Sequence, residues 1–213
     1  MDRISKKVFL ATIASLIALE VVSVFLHRLS WARGFTPLGW TAMIRCADIL
    51  LFFILFRILS VPLSEAGLRK FFKGSITGLA VSLILGSGFF LVLYSIRSFW
   101  GVNLRVFLNP GGRVLGVAPL AVLCLIGPFA EEIFFRGLCY SLIRAHRGIC
   151  VSVALTSFLF ATSHFLTAVA LGVVLVPLVG GVIFALLYEL TGSLFAPFTL
   201  HALANFILFS KIL

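Results

Sequence analysis

Apolar residues run along this chain in long blocks, and the segments between the blocks collect most of the arginine and lysine. A helix needs roughly 20 mostly apolar residues to cross a bilayer. Blocks of that order lie near 8–26, 44–63, 74–96, 115–135, 149–170, 171–190 and 193–212. The pattern predicts an all-α fold, a polytopic transmembrane helical bundle of about seven spans, six to eight. The fourth block reads in two ways. It is one span, or, because Gly127-Pro128 interrupts it, a helix over 115–126 followed by one over 129–145 that starts at mid-depth. The longest connections are 27–43 and 97–114, and the second holds the turn signal Asn109-Pro110-Gly111-Gly112. The length suits a single integral-membrane domain over 1–213, with N-terminal helices in 1–114 and a second half in 115–213.

The first block follows Arg3, Lys6 and Lys7 and so resembles a signal peptide. Val8 to Leu26 is long enough to span, however, and no small-x-small site follows it, so it is expected to stay as a first transmembrane helix.

Composition agrees with the pattern. The chain is 62% hydrophobic and only 11% charged, with a mean hydropathy of +1.21. Soluble domains carry about 25% charged residues. The net charge of +10 comes in clusters between apolar blocks: Arg3, Lys6 and Lys7; Arg69, Lys70 and Lys73; Arg144 and Arg147. That placement anchors helix ends at anionic lipid surfaces, and it lacks the basic stripe with interleaved aromatics of a nucleic-acid binder. Counting basic residues nearest each face gives nine against seven in favour of an inside N-terminus. Cys46, Cys124, Cys139 and Cys150 show no CxxC spacing, which argues against a disulfide or metal framework.

Ionisable residues inside spans are costly and direct attention to function. In the N-terminal half these are Glu20, Asp48 and Arg57; Arg45 lies three residues before Asp48 and can pair with it, while Glu20 lacks a local partner. Structural pairing or snorkelling is the expectation for this group.

The second half holds three better-spaced groups. In Glu131-Glu132-Ile133-Phe134-Phe135-Arg136, Glu132 and Arg136 are four apart in the favourable order for an ion pair. Glu131 lies about 100° around the helix from Glu132 and is left free, as a general base must be. The bland alternative is that both glutamates cap a helix start after Gly127-Pro128. His164 closes Phe160-Ala161-Thr162-Ser163-His164, where an ordinary backbone hydrogen bond is the competing reading. His201 and Asn205 are four apart and share a helix face, suited to stabilise an oxyanion or simply to bond a neighbouring helix. Three separate helices thus each bring one polar face into an apolar bundle, and such faces should converge.

The ordered set Glu-Glu-x-x-x-Arg, Phe-x-x-x-His and His-x-x-x-Asn resembles the CPBP family of intramembrane proteases, which includes the type II CAAX prenyl endopeptidases and the bacteriocin-processing and immunity (Abi) proteins. The resemblance covers about residues 115–210. It implies a bundle enclosing a membrane-embedded, water-accessible catalytic cavity. Glu131 would activate water with help from His164, His201 and Asn205 would hold the oxyanion, and Glu132 with Arg136 would brace the site. Substrates would be membrane-associated proteins or peptides: prenylated C-terminal tails, bacteriocin leaders or sorting tails. The expected setting is a prokaryotic cell membrane.

No cofactor is expected. The alternative is zinc, held by Glu131, His164, His201 and Asn205, but Asn is a poor zinc ligand and HExxH is absent. Competing functions are a non-enzymatic immunity or partner-binding protein, a transporter, which lacks the paired broken helices expected of one, and a thiol mechanism with Cys139 as nucleophile and His164 as base.

Overall fold

The computed structural model describes residues 3–26, 34–101, 116–165 and 175–209. These form seven helices and, among the described residues, no strand: α1 (Arg3–Leu26), α2 (Pro37–Ile58), α3 (Phe71–Trp100), α4 (Val117–Arg144), α5 (Ile149–Ser163), α6 (Leu175–Thr191) and α7 (Phe195–Phe209). A short 3₁₀ turn (Leu63–Ala66) links α2 to α3.

Helix ends follow local chemistry. Thr36 Oγ1 accepts the N–H of Gly39 at 3.0 Å and Pro37 occupies the first turn, so α2 starts before the apolar block that announces it. Gly101 ends α3 at φ 67°, its N–H donating to Arg97 O at 3.0 Å. The turn Asn109-Pro110-Gly111-Gly112, His27 and Gly172 lie outside the described residues.

Three stretches are long and apolar enough to cross a membrane: Lys6–Leu26, Leu63–Phe99 and Val117–Arg144. The helices α5, α6 and α7 are apolar but shorter, at 15 to 17 residues. The outer faces of α1 and α3 expose Phe25, Ile84 and Leu91. Along Leu63–Phe99 only 6% of the most apolar window is buried in protein, which is the surface of a helix solvated by lipid. The chain is an integral membrane protein built as a helical bundle.

At its centre, α4 packs against α1, α2, α5, α6 and α7, while α3 lies along α7. Gly78 makes the second contact possible: a Cβ there would stand 2.4 Å from Ala196 O. Gly181 does the same between α6 and α5, where a Cβ would meet Ser157 Cα at 3.0 Å.

The Gly127-Pro128 interruption does not split the fourth span. α4 runs through it, with π-helical segments at Val122–Ile126 and Ile133–Tyr140 on either side. Gly127 N–H donates to Val122 O, five residues back, so the wider turn absorbs the proline without a break. Glu131 and Glu132 therefore sit inside a continuous helix, and the helix-start capping reading is corrected.

The basic clusters at 69–73 and 144–147 meet at one end of the bundle. Arg69 Nε donates to Gly192 O at 2.7 Å, and Arg144 bonds Glu189 at 3.1 Å. Glu189 also accepts from Tyr140 Oη at 2.8 Å.

Candidate active site

Glu131 and Glu132 share one turn of α4 between its π-helical segments but point into different surroundings. Glu132 is fully buried and bonds Arg136 Nη1 at 3.0 Å, as their spacing predicts. Arg136, also fully buried, sends Nη2 across to Gly181 O on α6 at 3.0 Å. Its guanidinium lies 4.7 Å from the Phe160 ring centroid and 5.2 Å from that of Phe184. A charge without water is held here by a carboxylate, a carbonyl and two aromatic faces.

His201 of α7 joins the two glutamates. Its Nδ1 is 2.9 Å from Glu132 Oε1, and its Nε2 is 3.7 Å from Glu131 Oε2. The imidazole stacks on Phe184, ring centroids 4.6 Å apart. A carboxylate oxygen only accepts, so Nδ1 carries the proton and Nε2 is the atom turned toward Glu131.

His164 comes from the other side. It lies just past the C-terminal end of α5, rather than within a helix as the apolar block suggests. Its Nδ1 donates to Phe160 O at 2.9 Å, also lying 3.1 Å from Ser163 Oγ, and this leaves Nε2 3.6 Å from Glu131 Oε2. Two imidazole Nε2 atoms on different helices thus converge on one carboxylate oxygen. The backbone bond of the competing reading is present, and it aims the ring.

Asn205 goes elsewhere. Its Nδ2 donates to Leu123 O of α4 at 2.8 Å, so of the four residues named as catalytic the structure brings Glu131, His164 and His201 together, while Asn205 engages a backbone carbonyl.

Glu131 and His164 line a cavity of about 480 Å³, within the ~300–1,000 Å³ typical of ligand sites. Its other wall belongs to α1 and α2 and carries Glu20, Arg45 and Asp48. Arg45 Nη1 bonds both Glu20, on the neighbouring helix, and Asp48, the latter at 3.1 Å. Glu20 therefore has its partner 25 residues on, beyond the reach of a local reading. The sequence hint was that three costly ionisable residues stand in two consecutive apolar blocks. Cys139 is buried and not part of the cavity wall, so the thiol reading gains no support.

A zinc site needs three protein ligands and an open position. Glu131, His164 and His201 are suitable in type, but among the described residues no group of three or more His, Cys, Asp or Glu is arranged to hold a metal ion.

Comparison with known proteins adds a family. Residues 113–207 match the model of the type II CAAX prenyl endopeptidase Rce1-like family. No curated protein and no solved structure matches the chain. The matched segment holds Glu131, Glu132, Arg136, His164, His201 and Asn205. Over these residues, the chain is similar to the type II CAAX prenyl endopeptidase Rce1-like family.

Proposed function

We propose that this protein is an intramembrane endopeptidase that hydrolyses a peptide bond with a water activated by Glu131. The observation that carries this reading is the convergence of His164 Nε2 and His201 Nε2 on Glu131 Oε2, at 3.6 and 3.7 Å, beside a cavity. A water at that point meets a carboxylate and an imidazole lone pair. As the water oxygen bonds to the carbonyl carbon, Glu131 accepts its proton, with His164 holding the water in line. His201, in its doubly protonated form, donates through Nδ1 to Glu132 and through Nε2 to the developing oxyanion. The proton on Glu131 then passes to the leaving nitrogen as the C–N bond breaks. Glu132 and Arg136 fix His201 and take no proton.

The substrate is a membrane-associated protein or peptide whose C-terminal tail or leader enters the cavity. The setting proposed is a multi-pass protein of a prokaryotic cell membrane, with the bilayer as its other partner and no nucleic acid. The exposed apolar faces of α1 and α3 support the membrane part.

The test compares the membrane proteomes of cells carrying wild-type protein and Glu131→Gln. Full-length precursors should accumulate in the variant. Identical terminal peptides in both, with both proteins folded, would leave the binding-protein reading in possession.

A second reading is zinc held by Glu131, His164 and His201, residues suitable in type for the ion though not arranged around one here. Chelation with metal analysis separates the two.

A further inference from the structure

In the π-helical register before Pro128, a carbonyl falls opposite a residue that has no N–H. Gly127 N–H reaches back five residues to Val122 O. In that register Leu123 O falls to residue 128, which is proline and has no N–H. The position is filled from another helix: Asn205 Nδ2 donates to Leu123 O at 2.8 Å.

From this we infer that Asn205 is a positioning residue, a side-chain replacement for the missing N–H of Pro128, and that it acts on catalysis by fixing the turn that carries Glu131. The inference rests on the peptidase reading for its catalytic part only. A partly buried backbone carbonyl without a donor is costly in an apolar bundle, and an inter-helix amide is one of the few groups that reaches it. Four residues earlier on α7, His201 Nδ1 bonds Glu132 Oε1 at 2.9 Å. α7 thus grips α4 at Leu123 and at Glu132, with Glu131 between the two grips. Without the Asn205 bond the helix is free to bend at Gly127-Pro128, three residues from Glu131. Near-attack geometry tolerates little of that, since a displacement of about 1 Å can cost 10²-fold in rate.

The residue that creates the vacancy also supplies the test. Pro128→Ala restores an N–H at the position that should serve Leu123 O, and makes Asn205 redundant. Full-length Asn205→Leu, Pro128→Ala and the double variant are purified in detergent with wild type. Melting temperatures are measured, together with kcat and KM on a quenched fluorescent peptide copied from a junction that accumulates in Glu131→Gln cells.

Asn205→Leu should lower Tm by roughly 3–8 °C and kcat by roughly 10–100-fold with KM nearly unchanged. Adding Pro128→Ala should return most of both. Recovery of Tm without recovery of kcat would overturn the positioning role, because an oxyanion donor is not replaced by a distant backbone N–H. Absence of any effect of Asn205→Leu on Tm and kcat also overturns it. If Pro128→Ala fails to accumulate, Asn205→Asp keeps the shape without the N–H and should behave like Asn205→Leu, whereas Asn205→Gln should keep part of both quantities. If wild type cleaves nothing, the peptidase reading has failed, and the Tm cycle by itself decides the bond between Asn205 and Leu123.

Discussion

Arg136 Nη1 and Glu132 Oε1 meet at 3.0 Å with neither side chain exposed at all. Such a pair is expensive to bury and more expensive to break, because removing one partner strands the other charge; the loss is typically about 3–5 kcal/mol. Arg136→Met should therefore sharply reduce Tm and the yield of folded protein. Glu132→Gln with Arg136→Met should be less destabilised than the two single losses added together. A thermal-melt double-mutant cycle in detergent checks this, and simple additivity would count against the coupling.

Glu131 has the opposite profile. It faces a cavity, and the groups within 4 Å of its carboxylate are two imidazole nitrogens. Glu131→Gln should leave Tm within about 2 °C of wild type and lower peptide turnover by roughly 10²–10⁴-fold. Loss of activity with loss of fold would place Glu131 in the scaffold instead.

Metal removal should not matter. After extensive chelation, with zinc verified absent by elemental analysis, turnover should stay near the untreated rate. Activity that vanishes and returns on adding zinc assigns Glu131, His164 and His201 as ligands.

On the opposite wall Arg45 answers two carboxylates at once, Glu20 and Asp48. Arg45→Met abandons both, while Glu20→Gln removes one of them and keeps an acceptor. Melting temperature should fall further in the arginine variant than in the glutamine variant. The reverse order would show that the pair between α1 and α2 holds little of the docking.

Helix contact through glycine gives a further comparison within α3. Gly78→Ala forces a methyl against Ala196 O and should cost about 1–3 kcal/mol, whereas nothing lies within 4 Å of a Cβ at Gly88. Gly88→Ala should be neutral or slightly stabilising, measured by the same melts.

Sequence logic reached furthest where partners are close in the chain. Glu132 and Arg136 are one helical turn apart, so their bond follows from helix geometry; the different heading of Glu131 follows from the same geometry. Bonds spanning 25 residues for Glu20 and Arg45, or 45 for Arg144 and Glu189, depend on how helices dock and leave no local trace. The proline misled for a definite reason. Pro128 does delete a hydrogen bond, but a π-helical register and an amide from α7 made up the loss, and neither is written near residue 128. That Asn205 lies on the same helix face as His201 was legible, whereas its engagement with Leu123 was not, because the carbonyl that needs it exists only once α4 has taken the wider turn.

The cavity beside Glu131 has walls of two origins. Its chemistry comes from α4 and α5, inside the segment shared with the family, and its far side comes from α1 and α2, outside it. Division of labour of this kind makes the protein modular at the scale of a single pocket. An engineer, or a lineage, can redraw the first two helices to reshape the pocket while Glu131 and His164 opposite stay as they are.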